Sequence, residues 1–265
     1  MATAAGDQLV TYLADVHAIE EQALAQMRRA PRLVDGELAA AFEQHLQETE
    51  SQERRVRERL SAHDASPSTA KDVAGRIGGV GMVVFARSQP DTPGKLTAHA
   101  FSYEHMEVAA YELLARVADR AGDAETATMA IEIAAEERAM AARLADGFDL
   151  AVAASLDGDP AAEQLDAYLA DAHAIEAQSR ELLQKGAKLA GAPELSQVFE
   201  QHLAETAAQS ERLEQRLEAR GSSPSRIKDA ALRLGGLNWG AFMAAQPDTP
   251  PKLAGFAYAV EHLEI

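Results

Sequence analysis

Apolar residues recur every three or four positions along four stretches of the first half of the chain, which is the spacing of one helix face. These stretches are residues 8 to 29, 37 to 62, 93 to 121 and 123 to 146. Pro31, Gly36 and Gly122 lie between them, at positions where proline and glycine end helices. The pattern predicts an all-α unit with four long helices.

The predicted inner faces of these four helices are interrupted at mid-length by acids and by one histidine. The interrupting residues are Glu20, His45, Glu48, Glu104, Glu107 and Glu136. Burying a charge without a partner is costly, and the same stripes contain almost no lysine or arginine. A cation is therefore the simplest partner for these carboxylates.

Carboxylate and imidazole groups that converge from facing helices are what a di-iron or di-manganese centre in a bundle requires. Such centres usually carry Glu-x-x-His on two helices. Here helix two reads His45-x-x-Glu48, and helix four has no histidine. The residues predict Fe or Mn as the metal and leave the ligand set open.

Other polar residues on these helices have more ordinary interpretations. Glu132 and Glu137 are as consistent with solvated helix charges as with ligands, and Gln52 suits an outer position beside a ligand. His17 is predicted to lie at the surface or just outside the metal ligands, and His105 at the surface or at a partner. His45 is also consistent with a core histidine bonded to Glu20 or Glu104.

The whole pattern then repeats. Residues 12–20 return as residues 168–176, and the segment Phe42–Thr49 returns as Phe199–Thr206, at an offset of 156 or 157 positions. The chain therefore divides into a first bundle at 1–146, a linker at 147–163 and a second copy at 164–265. The second-copy site residues are Glu176, His202, Glu205, Glu261 and Glu264.

The sequence stops in what would be the third helix of the second copy. We expect either that further residues or that another chain supplies its fourth helix. An uncovered apolar face invites a partner, so the sequence predicts a homodimer or higher oligomer, or poor order at that end.

Charge and composition exclude several classes of protein. The formal net charge of −17 argues against nucleic-acid binding, which requires basic patches. The chain has no cysteine, so thiolate metal sites and disulfides are excluded. The start of the chain resembles no signal peptide and no stretch is long and apolar enough to cross a membrane, which favours a cytoplasmic protein.

Residues 68–87 are predicted to form a short helix that contains Gly78, Gly79 and Gly81. No strand precedes these glycines and no Gly-Lys-Ser/Thr follows them, so they do not indicate a phosphate-binding loop. Close packing against the bundle is the favoured interpretation.

Four phrases together resemble the YciE/YciF family of ferritin-like stress proteins: Tyr-Leu-x-Asp-x-His-Ala-Ile-Glu, the segment around His45, Tyr-Glu-His-Met-Glu-Val-Ala-Ala-Tyr and Ala-Glu-Glu-Arg-Ala-Met. The resemblance implies a ferritin-like four-helix bundle, usually dimeric, with a long crossover between helices two and three. It also implies a di-metal site at Glu20, Glu48, Glu104, Glu107 and Glu136, with His45 near it.

Three functions remain open from the sequence. The first is oxidation of Fe(II) by oxygen or peroxide in stress protection. The second is a non-catalytic interaction module whose buried carboxylates are paired or protonated. The third, a peroxide dismutase like the manganese catalases, shares the site chemistry of the first.

Overall fold

The computed structural model describes residues 4–67, 92–156, 161–224 and 249–264. Two compact units divide the chain at residues 1–157 and 158–265. The described residues are overwhelmingly helical, and no strand occurs among them. The helix predicted at 68–87 lies outside the described residues.

Unit one contains four long helices close to their predicted bounds: α1 (Ala4–Met27), α2 (Gly36–Ala62), α3 (Thr92–Ala121) and α4 (Ala124–Asp146). A short 3₁₀ helix at Ala30–Arg32, with Pro31 in its first turn, joins α1 to α2. Gly122 joins α3 to α4 with φ at +76°, a left-handed conformation that glycine adopts without strain.

Two apolar clusters fill the two ends of this bundle. The first joins the start of α1, the ends of α2 and α3 and the start of α4, and it includes Leu13, Leu60, Leu114 and Ile133. The second joins the opposite ends of the same helices and includes Met27, Phe42, Leu96, Met140 and Leu144. Helix α2 therefore ends at one end of the bundle, and α3 begins at the other. This is the predicted ferritin-like connectivity with a long crossover.

The predicted linker at 147–163 differs from the structure. Helix α5 (Phe148–Ser155) follows α4 after a single glycine and packs on α3, where Ser155 accepts a 2.8 Å hydrogen bond from the backbone N–H of Gly94. The apolar side of α5 explains the difference, since buried Ala151 belongs to the second apolar cluster. Gly147, next to Leu38, permits this close turn.

Unit two contains three helices within the described residues 161–224 and 249–264: α6 (Ala161–Leu189), α7 (Pro193–Ala219) and α8 (Thr249–Glu264). Its apolar cluster includes Leu183, Phe199, Leu253 and Ala257. Helix α6 corresponds to α1, α7 to α2 and α8 to the first half of α3. No described helix of either unit is long and apolar enough to cross a membrane.

Candidate metal centre

A polar layer lies at mid-length in the first bundle, between the two apolar clusters. On each helix the polar residues follow one cluster and precede the other: Glu20 lies between Val16 and Met27, and Glu137 lies between Ile133 and Met140. The apolar ends separate this layer from water. Ionised groups in such a layer interact strongly, because few solvent molecules screen them.

Four buried side chains form the centre of this layer. The Nε2 atom of His45 lies 3.1 Å from an Oε2 atom of Glu104 and 3.6 Å from Glu137 Oε2. Glu107 completes the group, in which each residue offers one ligand atom within 4.8 Å of the others. All four side chains are almost fully inaccessible to solvent. We define these four residues as the central cluster.

Most ligand atoms in this layer have no hydrogen-bond partner in the described part of the chain. The buried atoms without a partner are both carboxylate oxygens of Glu104 and of Glu107, one oxygen each of Glu20 and Glu137, and Nε2 of His45. Native proteins leave very few buried polar atoms unsatisfied. So many unsatisfied atoms in one place are what a bound cation would explain.

The distances and donor types fit a first-row divalent metal. Metal–ligand bonds of about 2.0–2.2 Å place adjacent ligand atoms about 3.0 Å apart around an octahedral ion and about 3.4 Å apart around a tetrahedral ion. The His45–Glu104 separation of 3.1 Å matches the octahedral spacing. One imidazole with several carboxylates suits Fe or Mn.

Crowding also changes the acidity of these groups. Burial, together with the charges of neighbouring glutamates, raises the pKa of Glu107 and of Glu137 well above the usual carboxyl value. Burial lowers the pKa of His45, but the charges and hydrogen bonds of Glu104, Glu48 and Glu137 together outweigh it, and the net pKa lies well above the usual imidazole value. The cluster therefore holds protons strongly unless another cation replaces them.

Glu20 joins this layer from α1. Its carboxylate accepts a very short hydrogen bond from the Tyr111 hydroxyl, and both side chains are fully buried. Burial raises the pKa of Glu20 to about 8, although the Tyr111 bond and the His45 charge lower it. The second tyrosine of the layer, Tyr103, donates to the backbone carbonyl of Ile19 at 3.0 Å.

Helix α4 contributes Glu137 to the layer, and not the predicted Glu136. The side chain of Glu136 is 40% exposed and lies 3.1 Å from Arg55, whereas that of Glu137 is fully buried. The prediction that Glu136 lies on the buried face is therefore wrong. Glu136 instead forms an ion pair with Arg55 on α2, which also pairs with Glu132.

The sequence contained a signal for Glu137 that the apolar stripe alone concealed. The buried face of α4 includes alanines at 127, 130, 134 and 141 as well as the larger residues. With about 100° of rotation per residue, Glu137 lies near the centre of that wider face and Glu136 about 100° away from it. Counting only large side chains displaced the centre of the face towards Glu136.

Two α2 residues contact the central cluster from its edge. The side chain of Glu48 is 30% exposed, and its carboxylate accepts a 3.2 Å hydrogen bond from Nδ1 of His45. This hydrogen bond lowers the pKa of Glu48. Gln52 donates to Glu137 in a very short hydrogen bond and to Glu136 at 3.0 Å. Glu48 thus lies outside the central cluster, and Thr49 occupies the buried position beside it.

The second repeat reproduces part of this arrangement in a more exposed form. Nε2 of His202 lies 2.7 Å from Glu261 and 3.9 Å from Glu264, and its Nδ1 atom lies 3.2 Å from the largely exposed Glu205. Burial and the charge of Glu264 raise the pKa of Glu176 and of Glu261 to about 7. An open cavity of about 380 Å³ adjoins His202 and Glu261.

Comparison with known proteins gives a matching sequence family and several similar solved structures. The family is described as a domain of unknown function, DUF892, and it matches residues 4–156 and again residues 161–265. A protein from Xanthomonas campestris (XCC3681) is 28% identical, with a TM-score of 0.50 over 58% of this chain and 97% of that chain. The Escherichia coli stress protein YciF is 26% identical, with a TM-score of 0.48 over 60% of this chain and 100% of that chain.

Proposed function

The chain belongs to the DUF892 family, and from that premise we propose that its first repeat binds a pair of iron or manganese ions in the buried polar layer. One observation carries the proposal: the concentration of buried carboxylate oxygens without hydrogen-bond partners around His45. Among the described residues, His45, Gln52 and Tyr111 contact three of the four buried carboxylates of the layer but supply at most one positive charge, whereas two divalent ions would neutralise all four.

Each residue of the layer has a distinct part in this proposal. His45 offers Nε2, and Glu104, Glu107 and Glu137 offer carboxylate oxygens, with Glu20 as the α1 ligand. Glu48 holds Nδ1 of His45, as outer carboxylates orient metal-bound imidazoles in other proteins. Gln52 holds one oxygen of Glu137 and so orients that carboxylate.

The proposed chemistry is oxidation of Fe(II) by oxygen or peroxide in stress protection. A redox-active pair of ions would transfer electrons to the oxidant when bound. The surrounding chain excludes water through the two apolar clusters and holds a proton at the Tyr111 hydroxyl, next to Glu20. The stress role rests on the YciE/YciF resemblance alone.

The adjacent glutamates of α4 provide the test. We expect Glu137→Gln to lose bound iron and manganese, because it removes a buried carboxylate, and Glu136→Gln to retain them, because that side chain is exposed. Metal content per chain is measured by mass spectrometry on gel-filtered protein expressed with both metals. Equal metal content in both variants, with helix content unchanged by circular dichroism, would overturn the proposal.

The alternative is a non-catalytic helical interaction module. The raised pKa values of Glu20, Glu107 and Glu137 favour it, since protonated carboxyls can remain buried without a metal. In that case wild-type protein would contain no metal above background, and both α4 variants would behave alike.

A homodimer or higher oligomer is part of the same proposal. The family resemblance supports it, because the bundles of that family are usually dimeric. Light scattering on the gel-filtered protein measures the mass directly, and a monomer at all concentrations would contradict this part.

A further inference from the structure

A second group of possible metal ligands lies between α1 and α2 of the first repeat. Nε2 of His17 lies 3.0 Å from Oε1 of Glu53. Glu21, one turn after His17 on α1, completes the group, and each residue offers a ligand atom within 4.8 Å of the other two. We name these three residues the α1–α2 trio.

The trio is separate from the central cluster but close to it. Glu21 follows Glu20 in sequence and Glu53 follows Gln52, so each trio acid lies beside a residue that faces the bundle interior. The negative charge of Glu53 contributes to the raised pKa of Glu20. His17, Glu21 and Glu53 retain exposures of 3%, 8% and 8%, so the trio is buried but not sealed from solvent.

The geometry suits one divalent ion. Around an octahedral ion, bonds of about 2.0–2.2 Å place adjacent nitrogen and oxygen ligands about 3 Å apart, which is the observed separation of the His17 and Glu53 ligand atoms. The other oxygen of Glu53, Oε2, accepts a 3.0 Å hydrogen bond from Arg57. Arg57 therefore orients this carboxylate with Oε1 towards His17, as outer groups orient metal ligands.

The second repeat has no acid at the two positions that correspond to Glu21 and Glu53. Ala177 corresponds to Glu21, and Ser210 corresponds to Glu53. His173 remains, but its Nε2 atom lies 3.0 Å from Glu214, at the position of Arg57. A histidine in this position therefore pairs with an acid from a different helix position, so packing of the histidine does not require acids at the positions of Glu21 and Glu53.

We propose that His17, Glu21 and Glu53 form a second divalent-metal site, which takes one first-row transition-metal ion with water at its remaining positions. One imidazole and two carboxylates are a ligand set that Zn, Fe, Co and Mn accept. The site does not depend on metal binding at the central cluster.

The repeat itself supplies the test variant. Glu21→Ala/Glu53→Ser gives the first repeat the residues of the second, where both are buried without disruption. Glu50→Ser is the matched control, because Glu50 lies on the exposed face of α2. Glu104→Gln/Glu107→Gln removes charge from the central cluster while keeping its shape. Co²⁺ is the probe, followed by visible absorption and by metal content after equilibrium dialysis of the full chain.

We expect the trio variant to bind about one Co²⁺ fewer per chain than wild type, and the Glu50 control to bind as wild type does. The central-cluster variant should retain the ion and the absorption bands that the trio variant loses. Failure of the proposed function would give a different result. The trio variant would then bind less Co²⁺ than wild type, and the central-cluster variant would bind as much Co²⁺ as wild type.

Two results would overturn the trio site. One is Co²⁺ content and spectrum unchanged in the trio variant, with its helix content retained by circular dichroism. The other is a central-cluster variant that is folded and binds no Co²⁺. In either case Glu53 only forms ion pairs with His17 and Arg57, and the trio is not a metal site.

Discussion

At the scale of single residues, the environment of each glutamate decides its chemistry. Glu136 and Glu137 are neighbours with the same side chain, yet one pairs with Arg55 in solvent and the other lies beside His45 in the interior. An exposed ion pair contributes little free energy, whereas an uncompensated buried carboxylate is strongly unfavourable. Burial therefore makes Glu137, and not Glu136, the candidate ligand.

Glu48 tests the role of the outer carboxylates. We expect Glu48→Ala to weaken metal binding by about 10- to 100-fold without abolishing it, because it leaves His45 in place but removes the partner of Nδ1. Glu43→Ala, on the exposed side of the same helix turn, should leave the affinity unchanged. Competition with a chelator of known affinity measures both. Complete loss of metal in Glu48→Ala would instead make Glu48 a ligand.

At the scale of elements, the start of α4 is held by a polar junction with α2. Asp123 caps α4 by accepting from the backbone N–H of Thr126 at 3.0 Å. Arg59 donates to the same carboxylate at 2.9 Å, and His63 lies 2.7 Å from it. This junction sets where α4 begins, and hence which of its residues reach the central cluster.

We expect Asp123→Ala to lower the free energy of unfolding by about 1–3 kcal/mol, since it removes a helix cap and leaves Arg59 without that partner. Urea unfolding followed by circular dichroism measures the change. Asp119→Ala, an exposed acid on the last turns of α3, is the control and should change stability by less than about 0.5 kcal/mol. A loss of similar size in both variants would contradict a role for the junction.

The effect of Asp123→Ala on stability should also depend on pH. Burial raises the pKa of Asp123, but the hydrogen bonds from Thr126, His63 and Arg59 outweigh it and the net pKa lies below the usual value of 3.8. A lowered folded-state pKa contributes stability above the unfolded-state value that is lost as pH falls through the folded-state value. The difference between wild type and Asp123→Ala should therefore shrink below pH 3.8.

At the scale of the whole molecule, the first unit is a bundle whose two apolar ends stabilise a polar middle. Leu13, Leu60 and Leu114 fill one end, and Met27, Phe42 and Leu144 fill the other. Free energy from burying these side chains offsets the cost of the acidic layer between them. We expect the free-energy cost of burying the acidic layer to depend on pH and on whether a metal ion is bound.

Without metal, the chain should lose stability as pH rises. The pKa of Glu20 is about 8 in the folded state against 4.5 as its ordinary value. A raised folded-state pKa contributes stability that is fully present below 4.5 and is lost as pH rises through about 8. Glu20→Gln should flatten this dependence, and Glu136→Gln should not. Urea unfolding of metal-free protein at pH 5, 6.5 and 8 measures it.

Added metal should act in the opposite direction, because metal binds the deprotonated carboxylates and replaces their protons. Mn²⁺ at pH 8 is therefore expected to restore stability to wild type and to Glu136→Gln, but less to Glu20→Gln. A pH dependence identical in all three proteins would contradict the proposed electrostatic cost of the layer.

The fold was largely predictable because its signals are local. Helical periodicity predicted the four long helices of the first unit to within a few residues, and Pro31 and Gly122 marked their ends. The repeated phrases predicted the duplication, and the family match covers both copies. Helix α5 was missed because its eight residues contain too few turns for periodicity to distinguish it from a linker.

The candidate site was predictable by helix but not always by residue. Which four helices carry mid-length acids is a property of the sequence, since local spacing determines it. On α4 the choice between two adjacent acids depends on a few tens of degrees of helix rotation, and the large apolar residues alone do not determine it, although the small alanines of the buried face do. The α1–α2 trio depended still more on tertiary structure: His17, Glu21 and Glu53 come from two helices, and only their packing brings the three side chains together.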